Sequence, residues 1–255
     1  MSTNLNKDGV NFKRWILITG STDGFGRQLA QELAANIYEN FVIIHGRSEK
    51  NCQKTVEELE IEQENVGNNR KQRNVDFVAA DFSKLFEIPR LNTLIACASV
   101  VVQRRIKSHD GLELTLQINH LSHIVLFTEL LPLLELNSPS RILTVGSMLH
   151  NFSSSINWND INSEGCKYDK FAQYSLSKLM NHLATLYLHR LMFKHKKQFQ
   201  VTANIVDAEK RVENEGRTIS SLKPLGLGMK ESRQGSMSGL AFVSRFWSVY
   251  PKNSK

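Results

Sequence analysis

Six short apolar runs punctuate the chain: WILIT (Trp15 to Thr19), FVIIH (Phe41 to His45), VDFVAA (Val75 to Ala80), TLIACA (Thr93 to Ala98), RILTV (Arg141 to Val145) and VTANIV (Val201 to Val206). Their apolar character is nearly continuous rather than alternating. Strands of that kind are buried on both faces, which requires a parallel sheet covered by helices on each side. The segments between them carry the helical period. Phe25, Leu29, Leu33 and Ile37 recur every four residues, an apolar stretch runs from Leu112 to Leu136, and another helix-like stretch from about Lys170 to Phe193. The pattern predicts an α/β fold, a single doubly wound parallel sheet of about six strands, in one domain spanning 1–255.

At 255 residues the chain can bury roughly three quarters of the surface it would expose unfolded, so its core needs no metal or disulfide staple. The three cysteines, Cys52, Cys97 and Cys166, have no paired spacing, and their odd number argues against a disulfide framework. The N-terminal MSTNLNKDGVNFKRW lacks the apolar core of a signal peptide, and no run reaches the roughly 18 uncharged apolar residues of a membrane span. A cytoplasmic location, in places peripheral to a membrane, is expected. The 32 basic against 25 acidic residues leave +7, but the positive groups are scattered and have no aromatic interleaving. They read as solvated loops and helix ends rather than a nucleic-acid surface.

Directly after the first run comes Thr19-Gly20-Ser21-Thr22-Asp23-Gly24-Phe25-Gly26, and the next residues open the first helical stripe. Three glycines at a strand-to-helix turn have a physical use. Gly20 permits the tight turn, Gly24 lets backbone approach a pyrophosphate, and Gly26 lets the helix pack against the strand, while the helix N-terminus offers free N–H groups to the anion. This is the dinucleotide cradle of a Rossmann-type sheet. The second run ends in Gly46-Arg47 rather than in an acidic residue that would bind the adenosine ribose. Arg47 suits a 2′-phosphate, so NADP(H) is favoured over NAD(H).

Tyr174-Ser175-Leu176-Ser177-Lys178 places Tyr174 and Lys178 four apart, on one helix face. A free phenol titrates near 10, and a nearby ammonium would lower that value. Tyr174 is therefore a candidate general acid/base. Ser147 follows Gly146 at the end of the fifth run, on the edge where open parallel sheets bind ligands, and its hydroxyl could reach a substrate oxygen.

Taken together these residues resemble the short-chain dehydrogenase/reductase superfamily from about Trp15 to Trp247. TGSTDGFG is similar to its TGxxxGxG cofactor turn, which implies that Gly20, Ser21, Gly24, Phe25 and Gly26 line the cofactor. Ser147 and YSLSK are similar to its catalytic serine and YxxxK, and LQINHLSH supplies Asn119 of its Asn-Ser-Tyr-Lys tetrad. SRILTVGSMLH, NDINSEG and VTANIVD look most like the branch with retinol dehydrogenases and the X-linked dehydrogenase/reductase. The resemblance implies reversible hydride transfer between a nicotinamide cofactor and a lipophilic alcohol or carbonyl of retinoid, steroid or isoprenoid type. Tyr174 would exchange the proton and Ser147 polarise the oxygen. Lys178 would bind the nicotinamide ribose and depress the Tyr174 pKa, Asn119 would hold a relay water, and Asp81 would contact adenine.

Four departures from the family pattern carry expectations of their own. Ala96-Cys97-Ala98-Ser99 replaces NNAG, which predicts an unbraced sheet edge near the cofactor. Asp207-Ala208-Glu209 stands where Pro-Gly is usual and brings a carboxylate toward the nicotinamide site. The link 82–92 is too short for a crossover helix and predicts a poorly covered stretch of sheet. The truncated region 213–255 leaves no room for a seventh strand and predicts a loop, at best a short lid, over 217–232. These departures motivate a second reading: a catalytically impaired relative that senses cofactor or acts as a scaffold.

His120 and His123, three apart, and His182 and His189, seven apart, have no third ligand at a zinc-enzyme spacing, so no metal is expected and structural or surface roles are assigned to them. A last amphipathic helix is predicted from Gly235 to Trp247. Its apolar face can be covered by the domain itself, by the twin subunit of a homodimer or by an anionic membrane surface.

Overall fold

The computed structural model describes residues 11–65, 73–79, 88–153, 156–194, 200–212 and 218–224; for residues 64 and 65 and from residue 208 onward it describes the backbone alone. The six apolar runs form β1 (Arg14–Ile18), β2 (Asn40–Gly46), β3 (Val75–Ala79), β4 (Thr93–Ala96), β5 (Ser140–Gly146) and β6 (Val201–Val212). They pair in parallel in the order β3-β2-β1-β4-β5-β6. The order reverses between β1 and β4, the switch point at which such sheets bind ligands at their carboxyl ends.

Burial on both faces accounts for the uninterrupted apolar runs. Along β1, Leu17 enters one core while Ile16 and Ile18 enter the other; along β2, Ile43 faces one way and Val42 and Ile44 the other. The helices α1 (Gly24–Ala34) and α2 (Glu49–Asn65) cover one face with Leu29, Leu33, Val56 and Leu59. The opposite face packs against Leu126, Leu130 and Leu134 of a helix that starts at Leu114–Leu116 (α3) and continues as Ser122–Leu136 (α4). Met192 of α5 (Lys170–Lys194) joins the same core. Each fully buried side chain of Leu17's size stabilises the fold by about 1.5–3 kcal/mol.

Residues 80–87 of the short link lie outside the described residues, and Asp81 with them. At the end of the link, Ile88 and Leu91, 3% and 0% exposed, sit in the core beside β1 and β4, so the link itself covers the sheet there. The expectation of no seventh strand is corrected: β7 (Thr218–Pro224) pairs antiparallel with the outer part of β6. An antiparallel partner needs only a short connection, here 213–217, and the β-branched Thr218 and Ile219 suit a strand. The predicted helix at Gly235 to Trp247 lies outside the described residues.

Candidate active site

The glycine turn is built as its spacing predicts. Gly20 has φ +63°, and a Cβ on it would lie 2.7 Å from Ala98 Cα. A Cβ on Gly26 would lie 2.4 Å from the Gly20 carbonyl oxygen, so helix and turn touch backbone to backbone. Gly24, at φ +56°, faces open space, with nothing within 4 Å of an added Cβ. Asp23 caps α1 by accepting from the Gly24 N–H at 2.7 Å. The turn thus offers a helix N-terminus, close backbone approach and an open face, which fits a dinucleotide pyrophosphate.

Two residues of the motif have inward roles. The Ser21 hydroxyl is fully buried; it donates to the Ile18 carbonyl at 2.7 Å and accepts from the His45 N–H at 2.9 Å, tying the turn to β2. Phe25 leans on the core under α1. Arg47 stands exposed just past β2.

The expected loss of bracing at Ala96 to Ser99 is corrected by Thr19. Its hydroxyl oxygen accepts from the Cys97 and Ala98 N–H groups at 2.8 and 2.9 Å. It also lies 2.9 Å from His123 Nε2, while His123 Nδ1 is 3.0 Å from the Asn119 carbonyl oxygen. A carbonyl only accepts, so Nδ1 carries the proton and the Thr19 hydroxyl donates to Nε2. His123 is thereby a structural link, 2% exposed, and burial lowers its pKa to about 3.

Asn119 occupies a π-helical turn, Gln117–Leu121, between α3 and α4. Such bulges recur at functional sites. Its amide donates to Ser177 Oγ at 3.1 Å, and its carbonyl also accepts from the Asn181 side chain at 2.9 Å. The turn opens on Glu113, which is fully buried and accepts from the N–H groups of Thr115 and Leu116 and from Tyr168 and Gln173.

Ser147 and the face of α5 bring the remaining residues together. The Ser99 and Ser147 side chains lie beside the Tyr174 hydroxyl. Lys178, 2% exposed, donates to the Val145 carbonyl at 2.9 Å, and its Nζ lies 5.5 Å from the centre of the Tyr174 ring. Burial brings the ammonium down to about 8 against the opposing pull of Cys97 and Asp207. The expected lowering of the phenol by Lys178 is not what the geometry gives. Burial raises the Tyr174 pKa; hydrogen bonds to Ser99 and Ser147 oppose it, and the Cys97 and Asp207 charges add to it. The ammonium addresses Val145 and the ring face rather than the hydroxyl.

Ser99, Thr19 and Glu113 are the residues that spacing alone does not reveal. Ser99 was legible only as a missing glycine, and the other two belong to turns whose partners lie 55 or more residues away in sequence. Asp207 is buried within β6, in register with Gly146, rather than open to a phosphate.

The sequence profile described as short chain dehydrogenase matches residues 14–158. Retinol dehydrogenase 14 of Homo sapiens is 32% identical over 199 residues, covering 71% of this chain and 58% of that protein. Polyprenol dehydrogenase of Homo sapiens is 32% identical over 210 residues, covering 76% and 59%. The crystal structure of an uncharacterized protein from Mycobacterium Paratuberculosis matches with a TM-score of 0.64 at 23% identity, covering 84% of this chain and 85% of that one. The chain belongs to the short-chain dehydrogenase family, which uses nicotinamide dinucleotides. Its relatives within the family include retinol and polyprenol dehydrogenases, and it spans under two thirds of the length of the curated relatives named above.

Proposed function

We propose that the protein is an oxidoreductase that transfers hydride between NADP(H) and a lipophilic alcohol or carbonyl. The observation that carries this reading is the Tyr174 hydroxyl set beside Ser147 and Ser99, at the sheet edge that also holds the glycine turn. The dinucleotide would supply or accept the hydride at the substrate carbon. Gly20, Gly24, Gly26 and the α1 N-terminus would hold its pyrophosphate, and Arg47 a 2′-phosphate. Ser147 would hydrogen-bond the substrate oxygen and Tyr174 would exchange its proton with it. A raised pKa keeps the phenol protonated near neutral pH, the form able to donate in the reducing direction. Lys178 would bind the nicotinamide ribose, and Asn119 would fix the helix turn behind it.

A lipophilic substrate is supported by the apolar surface that comes after Ser147. Met148, Leu149 and Phe152 are 47%, 37% and 78% exposed, on the short 3-10 turn that Ser147 opens. No helix among the described residues is long and apolar enough to cross a membrane. Contact with a membrane surface and self-association as a homodimer belong to this proposal too. The reading of an impaired sensor or scaffold finds no support in the assembled tetrad.

The test is a titration of the purified chain with NADPH and with NADH, followed by nicotinamide fluorescence, and then turnover of retinoid, steroid and isoprenoid aldehydes. Micromolar or tighter NADPH binding and turnover lost on Tyr174→Phe are expected. Tight binding with no turnover across that panel would overturn the catalytic reading, and stronger binding of NADH would overturn the role of Arg47.

A further inference from the structure

Beside the tetrad, three elements deliver three potential ligands to one point. His150 ends the turn that starts at Ser147, His182 lies one helical turn beyond Lys178 on α5, and Asp207 closes the parallel part of β6 opposite Gly146. One ligand atom from each lies within 4.8 Å of the others. We propose that His150, His182 and Asp207 form a binding site for a zinc-like divalent transition-metal ion.

Two of these atoms lack the partners that burial demands. Asp207 Oδ1 and His182 Nε2 are both buried and have no hydrogen-bond partner, and the Asp207 side chain is only 2% exposed. These two atoms nevertheless face each other at 3.3 Å. Their protonation is constrained from behind. His182 Nδ1 is 2.9 Å from the Lys178 carbonyl oxygen, and His150 Nδ1 is 2.7 Å from that of Ser147. Both carbonyls only accept, so both Nδ1 atoms carry a proton; on His182 this leaves Nε2 facing Asp207, whereas on His150 it is Nδ1 itself that lies 3.9 Å from Asp207 Oδ2. His182 Nε2 and Asp207 Oδ1 thus face each other across a gap that a positive centre, a proton or a metal ion, turns into an attractive contact.

A backbone carbonyl on the far nitrogen, as on His182, is also the way metal-binding histidines are oriented. With metal–ligand bonds of about 2.0–2.2 Å, two ligands on a tetrahedral zinc are about 3.3–3.5 Å apart, close to the separation of His182 and Asp207. The His150 ring, stacked on His182 with centroids 3.8 Å apart, has to turn out of that stack to bring a nitrogen onto the same ion. Gly146 keeps the hollow open: a Cβ there would lie 2.4 Å from Asp207 Oδ1 and 2.8 Å from His182 Cε1. Two imidazoles and one carboxylate suit zinc rather than magnesium or calcium, and water takes the fourth position. Because His150 bonds the Ser147 carbonyl, the ion would brace the strand end from which Ser147 projects.

The test strips the full chain with a chelator and titrates it with zinc chloride by calorimetry, and with Co2+ by visible absorption. One ion per chain and the ligand-field bands of four-coordinate Co2+ are expected. His182→Gln and Asp207→Asn should each weaken binding by about 100-fold or more, since loss of even an outer partner of a ligand costs 10–100-fold. His150→Gln, at a partly exposed position, gives the same reading should Asp207→Asn fail to fold. No binding by the native chain would mean that a proton fills the gap and would overturn the proposal. So would binding whose affinity and Co2+ spectrum survive both His182→Gln and His150→Gln, which would place the ion on surface histidines.

Discussion

Asn119 and Val100 are joined by a reciprocal pair of hydrogen bonds: the Asn119 Oδ1 accepts from the Val100 N–H at 2.8 Å, and the Asn119 Nδ2 donates to the Val100 carbonyl at 3.0 Å. The side chain thus acts like a short piece of antiparallel strand and fixes the segment after β4. Asn119→Ala leaves both backbone groups of Val100 without this partner, at an expected cost of about 2 kcal/mol. Urea denaturation measures it. An unchanged midpoint would show that Val100 finds other partners.

Gly20→Ala tests the turn. The left-handed conformation alone costs an alanine about 1 kcal/mol, and the collision with Ala98 adds to it, for an expected destabilisation of about 2 kcal/mol or more. NADPH affinity should fall as well, because any relief of the collision moves the loop that Ser99 and Val100 occupy. Thermal unfolding and a fluorescence titration check the two effects separately.

Glu113 is a buried carboxylate held by four donors, two of them the N–H groups at the start of α3. Glu113→Ala should cost about 3 kcal/mol, combining loss of a helix cap with buried donors left unpaired. Glu113→Gln should cost less, because its amide oxygen still accepts. Equal stability of the two variants would remove the capping account.

Acid should destabilise the fold through its buried imidazoles. Burial lowers His123 to about 3 and His45 to about 4, against about 6.5 in an unfolded chain. Between these values the unfolded state binds the proton and the folded state does not. Their contribution is therefore complete above pH 6.5 and is lost as pH falls toward the folded values, each at up to about 1.4 kcal/mol per pH unit. Urea titrations from pH 7 to 4 should show the slope reduced by about that amount in His123→Gln. An identical slope would mean that His123 is charged in the folded protein.

The parallel sheet was readable because burial on both faces leaves an uninterrupted apolar run, and Leu17 and Ile18 need no partner identified in advance to reveal it. The cradle was readable for a similar reason, since Gly20, Gly24 and Gly26 answer to local geometry. Tyr174 and Lys178 were placed on one face by their spacing, but spacing carries no information on how deeply the phenol is buried, and burial decides the direction of its shift. β7 was missed because its pairing depends on how far β6 extends beyond the sheet. His150, His182 and Asp207 lie on separate elements, so no motif length could have gathered them.

The imidazole of His123 has one edge on the strand that feeds the glycine turn and the other on the residue behind the tyrosine. A disturbance at either place is therefore transmitted to the other through a single rigid ring. On the proposed function, mutations in the turn would be felt as misalignment beside Tyr174, so that cofactor recognition and proton transfer would be inherited, or lost, together.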